Sequence, residues 1–149
     1  MALKKDRHEL DTDISFFMNE TAERGVVVSV STAGSGAAMD SSVAVATVAA
    51  EASGAYPLGV LMNDVVNLDL TRQHINFYKN EVQQGGKVTI LRKGFVVTDQ
   101  ISGSPTAGAT AYLADSGKIS STQDGTAVAI GQFLSTKDAD GYAKVSINI

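Results

Sequence analysis

The sequence predicts an all-β domain, a barrel or sandwich of short strands. Three observations carry that expectation. Runs of β-branched or alternating residues recur along the body, turn-forming residues separate them roughly every ten positions, and no long amphipathic helix pattern stands out. Fourteen glycines and two prolines in 149 residues suit such an architecture.

Charge divides the chain before any element is assigned. Residues 1–24 hold ten charged side chains, from Lys4 to Arg24, whereas residues 25–62 hold only Asp40 and Glu51. We therefore expect an N-terminal arm, residues 1–24, and a β-rich body, residues 25–149. The arm has one apolar cluster, Ile14, Phe16, Phe17 and Met18, too little to bury a core alone. It reads either as a short helix or leader capping the body, or as an extended arm that orders on a partner with Phe16 and Phe17 as anchors.

The body begins with a β-branched run, Val26, Val27, Val28 and Val30, that breaks at Thr32-Ala33-Gly34-Ser35-Gly36. Residues 42–50 fit strand or helix by pattern, and their Val and Thr content favours strand. In 63–70, Val66, Leu68 and Leu70 alternate with Asn67 and Asp69, the signature of a strand. Residues 70–84 are the one helix candidate, with Ile75, Tyr78, Lys79 and Val82 near one face. Residues 87–91 and 95–98 read as a hairpin closed by Arg92-Lys93-Gly94, where glycine can take positive φ.

Residues 109–113 and 118–120 read as strands joined by a turn over Ala114-Asp115-Ser116-Gly117. There Asp115 would accept turn amides and Gly117 would take the left-handed position. Another strand is expected over 127–135. In 143–149, apolar residues hold the odd positions and polar residues the even ones, the period of a half-buried strand.

Composition excludes several functions. The formal net charge of −4, with Lys4-Lys5 and Arg92-Lys93 as the sole adjacent basic pairs, argues against a nucleic-acid partner. The absence of cysteine removes disulfides, thiolate nucleophiles and cysteine-held metals. The longest apolar run, 42–50, is too short to cross a bilayer, so no membrane partner is expected. No apolar run follows the basic start, so synthesis in a cytoplasm without a secretory signal is expected.

The segment from 63 to 81 gathers Asp64, Asp69, Arg72, His74, Lys79 and Glu81 as an active site would. Asp64, Asp69 and His74, however, stand at intervals that put no two ligands on one face of a helix. No nucleophile elbow is present, and Gly34-Ser35-Gly36 and Gln84-Gly85-Gly86-Lys87 read as turns rather than phosphate cradles. No enzyme activity, catalytic residue, metal or cofactor is therefore expected. Arg72, His74, Phe77 and Tyr78 instead form the mixture of arginine and aromatics found at protein contacts. The charge-poor stretch 25–62 reads either as a buried central part of the body or as a surface covered by a partner.

One family matches the order of these features. Tyr56-Pro57-Leu58-Gly59-Val60-Leu61, "GGKVTILRKG" at 85–94, "TAGATAYLADSGKIS" at 106–120, "AIGQFL" at 129–134 and the closing "AKVSINI" together resemble the head decoration, or cement, proteins of tailed bacteriophages. The resemblance spans roughly residues 25–149. It implies a small β-barrel or β-tulip domain with an extended N-terminal arm, made in the host cytoplasm and carried on the outer surface of the virion head. The implied partner is the major capsid protein, bound by a homotrimer at threefold or quasi-threefold positions that cements neighbouring subunits against internal DNA pressure. Phe16, Phe17, Arg72, His74, Phe77 and Tyr78 are the candidate capsid or trimer contacts. The alternative is a receptor- or glycan-binding module of a virion surface fibre, using loops such as 103–108.

Overall fold

A computed structural model describes residues 3, 4, 6–31, 44–64, 81, 82, 84 and 87–149. Within them the regular elements are strands, joined by one 3-10 turn, Asp115–Gly117. In chain order the strands are β1 (His8–Asp13), β2 (Phe17–Met18), β3 (Ala22–Glu23), β4 (Val27–Val30), β5 (Val45–Thr47), β6 (Pro57–Asp64) and β7 (Glu81–Val82). They continue as β8 (Val88–Thr98), β9 (Ile101–Ser102), β10 (Thr110–Leu113), β11 (Ile119–Ser120), β12 (Ala129–Phe133) and β13 (Ala143–Asn148). Strands β3 and β7 form a ribbon of their own, and the rest belong to one sheet in the order β2-β5-β4-β6-β8-β13-β12-β10-β11-β9, with β1 beside β8. The all-β expectation holds. Among the described residues the sheet is open, however, because β2 and β9 end it without pairing to each other and close no barrel.

Strand β8 organises the molecule. It runs unbroken for eleven residues through Arg92-Lys93-Gly94, where a hairpin turn was expected. Gly94 does take a positive φ of 143°, but its role is to let another strand approach. The carbonyl of His8 lies against it, in the space where any side chain would begin. Ile90 and Leu91 pair both with β1, at Asp13 and Thr12, and with β6, at Leu61 and Val60. Lys93, Gly94 and Phe95 pair both with β1 and with β13. A strand has two edges, so β1 takes one edge of β8 while β6 and β13 follow one another along the opposite edge.

The sheet therefore divides at β8 into two lobes, and alternate residues of its central strands serve two cores. Val27, Val60, Met62 and Leu91 enter the larger core with Leu113, Ile119, Ile130, Phe133, Val145 and Ile147. Val28, Leu61 and Ile90 enter the smaller one with Met18, Ala22, Val82 and Val88. This two-sided burial explains why Val26, Val27 and Val28 are apolar without alternation, since each fully buried aliphatic side chain contributes about 1.5–3 kcal/mol. The charge-poor stretch is thus internal over Val26–Val28 and Leu58–Met62, all of them buried.

The C-terminal elements follow the expected pattern more closely. In β13, Ala143, Val145 and Ile147 are buried while Lys144 and Ser146 are half-buried. At the 115–117 turn, Gly117 is left-handed at φ 70° and Ser116 is too, at φ 58°. The Asp115 side chain does not cap its own turn. Its Oδ1 accepts the amide of Ala52 at 2.8 Å and ties the turn to the 50–55 loop.

Candidate protein-contact surface

The N-terminal segment lies antiparallel along the whole of β8, from Leu3 opposite Thr98 to Phe17 opposite Lys87. Its middle strand, β1, is almost entirely solvent-facing. The sequence HELDTD has no apolar alternation because this strand is attached by its main chain rather than by one buried face. Its register contains two compensating bulges. Glu9 faces Gly94 and Asp11 faces Lys93, which leaves Leu10 as an extra residue; Thr12 then faces Leu91, which leaves Arg92 as the extra residue on β8. A bulge re-aims its side chain, and Leu10 stands 71% exposed. Ile14, just past the strand, is 55% exposed.

Polar and aromatic contacts pin the segment at intervals. The His8 ring stacks on Phe95 with centroids 5.7 Å apart, and Lys144 Nζ sits 4.1 Å from the centroid of the same Phe95 ring. Lys4 Nζ lies 4.4 Å from the centre of the Tyr142 ring. Arg7 Nε donates to Glu9 Oε1 at 2.7 Å. Beyond β1, Asp13 Oδ1 accepts from the amide of Ser15 at 2.7 Å and from its hydroxyl at 2.5 Å. The Ser15 hydroxyl and then its amide hold the Asp13 carboxyl below its ordinary pKa of 3.8, with Arg92 assisting and partial burial opposing.

Phe16 and Phe17 are drawn inward. Phe16 packs against the smaller core, and its carbonyl accepts the amide of Val88 at 3.0 Å. Phe17 pairs in parallel with Val45 and lies under Lys87, whose Nζ is 5.4 Å from the ring centroid. Glu20 then secures the chain to β5: its Oε1 accepts from Thr47 Oγ1 at 2.8 Å and from the amide of Val48 at 2.7 Å. Arg24 Nε donates to the carbonyl of Met62.

Of the six candidate contact residues, Phe16 and Phe17 lie within the described residues, each half-buried against its own chain. Arg72, His74, Phe77 and Tyr78 lie outside the described residues, as do Asp69, Lys79 and most of the helix candidate at 70–84. Asp64 ends β6, and Glu81 is exposed in β7 opposite Glu23. Among the described residues no three His, Asp or Glu side chains gather as a metal site would require, and no helix is long and apolar enough to cross a membrane. Sequence reasoning picked out Ile14 but missed Leu10, Val30 and Tyr56 as exposed apolar residues of the surface. Leu10 had a signal, as the lone apolar residue in a polar run. Val30 and Tyr56 are neighbours, since the Val30 amide donates to the Tyr56 carbonyl at 2.9 Å, and nothing local in the sequence announces that pairing.

An open sheet with two cores, an edge-bound N-terminal strand and exposed apolar side chains give the protein a surface suited to protein contacts. The family model described as XM1 gp53 minor capsid protein matches residues 5–149, and the chain belongs to that family. No curated protein matches it. Membership makes this a phage capsid-related protein, structural and located in the virion, whose associates are capsid proteins. A structural capsid family also speaks against an enzyme.

Proposed function

We propose that the protein binds the outer surface of the expanded head and cements neighbouring major capsid subunits, acting as a homotrimer at threefold or quasi-threefold positions. The observation that carries this reading is β1. It is solvent-facing, carries the bulge-extruded Leu10, and among the described residues has no strand along its outer edge. Such an edge accepts a further strand, with main-chain hydrogen bonds supplying affinity and protruding side chains supplying register. Leu10 and Ile14 take the anchoring role that the sequence suggested for Phe16 and Phe17, whose rings are engaged within the chain. Arg72, His74, Phe77 and Tyr78 are retained as proposed trimer or capsid contacts.

Cementing needs no reactive group. A protein that binds the assembled lattice and not its free subunits stabilises the lattice by mass action, and repetition over a shell multiplies a modest contact. The test is DNA retention by heated heads with and without added protein. Protected heads are expected, and equal DNA loss in both samples would refute the reading. The glycan-binding alternative gains no support from the 103–108 loop, Gly-Ser-Pro-Thr-Ala-Gly, which is exposed except at Pro105 and offers no aromatic platform.

A further inference from the structure

The N-terminal strand has the attributes of an exchangeable part. Among the described residues of 3–13, only Leu3 is buried. The remainder is attached through the ladder to β8, and that ladder is interrupted by two register shifts. Between this segment and β2, residues 14–16 have no regular structure. The connection is shaped by the Asp13 carboxylate, which gathers the amide and hydroxyl of Ser15. The receiving edge, in contrast, is built for this one sequence. Gly94 leaves room for the His8 carbonyl, Phe95 receives the His8 ring, and the larger core receives Leu3.

A second copy of the chain carries the same segment and satisfies the same groups, so exchange costs little beyond opening the connection. We propose that residues 3–13 are exchanged between copies: the segment of one molecule lies on β8 of its neighbour, with residues 14 and 15 as the hinge and Phe16 held in its own chain. Ile14, exposed in the connection when the segment folds back on its own chain, then lies at the junction between two molecules, whereas Leu10 keeps its exposed place on β8 and stays available to a capsid strand. The exchange links copies without any capsid subunit, so it stands or falls separately from head binding.

The absence of cysteine makes the test direct. Asp11 and Lys93 are register partners and both are exposed. Full-length Asp11→Cys and Lys93→Cys variants are unfolded together, refolded as a mixture and oxidised; exchange places the two thiols of different copies side by side, so a disulfide-linked dimer of one of each forms beyond the level set by random collision. A several-fold excess of that dimer over a control mixture of Lys137→Cys and Lys93→Cys is expected, rising further when Ser15→Ala is added to both partners. The double variant Asp11→Cys/Lys93→Cys reports whether the pair can close at all. If it closes within the monomer while the mixture stays at the control level, exchange is refuted. If neither links, the register on which the proposal rests is refuted with it.

Discussion

The carbonyl oxygen of His8 occupies the space that a side chain on Gly94 would need, so β1 and the central strand of the sheet, β8, are fitted backbone to backbone. Gly94 also has a φ of 143°, a conformation that disfavours any other residue. Gly94→Ala is expected to cost about 2–4 kcal/mol through strain and collision together, and to release β1. Gly103, left-handed at φ 76° with nothing within 4 Å of its position, is the control: Gly103→Ala should cost about 1–2 kcal/mol. Urea midpoints give the stabilities, and limited proteolysis of residues 1–13 reports release of the strand.

Glu20 closes the N-terminal segment onto β5 by accepting from both Thr47 and Val48. Glu20→Ala leaves two partly buried donors without their acceptor and should cost about 1–3 kcal/mol. Glu20→Gln keeps a carbonyl oxygen at the same reach and should restore most of the loss. Equal destabilisation by both variants, in urea unfolding, would show that charge rather than hydrogen bonding holds this contact.

Asp13 gives a pH dependence with a definite sign. Its folded-state pKa lies below the ordinary 3.8 because Ser15 hydrogen-bonds the carboxylate. The contribution is therefore fully present above the unfolded-state value, near 4, and is lost as pH falls through the lower folded-state value. Stability measured from pH 6 down to pH 2.5 should fall less in Ser15→Ala than in the parent protein. Parallel curves would contradict the assignment.

The two kinds of apolar residue separate stability from attachment. Phe133 is fully buried in the larger core, and Phe133→Ala should cost about 3–5 kcal/mol. Leu10 is largely exposed, so Leu10→Ala should change stability by no more than about 0.5 kcal/mol while weakening head binding. Unchanged binding by Leu10→Ala would remove β1 from the contact.

The fold was legible where a strand has one wet and one dry face, and obscure elsewhere. Residues 143–148 alternate because β13 is half-buried, and their strand was readable from period alone. At 92–94 the sequence has the composition of a turn, yet Gly94 is there to admit His8, a contact across the chain that no local pattern encodes. The arm gave no strand signal, because a strand held by its main chain needs no apolar period. Phe16 and Phe17 were visible as apolar residues in polar surroundings, but a ring that completes a core and a ring that waits for a partner look alike in sequence. The cluster from Asp64 to Glu81 was the most conspicuous in composition, and Arg72, His74, Phe77 and Tyr78 within it lie outside the described residues.

The central claim, attachment to the expanded head lattice, is tested most directly by co-sedimentation of the purified protein with expanded and unexpanded empty heads. Saturable binding to expanded heads, and weaker or no binding to unexpanded ones, is the predicted result. Absence of the protein from both pellets would contradict it.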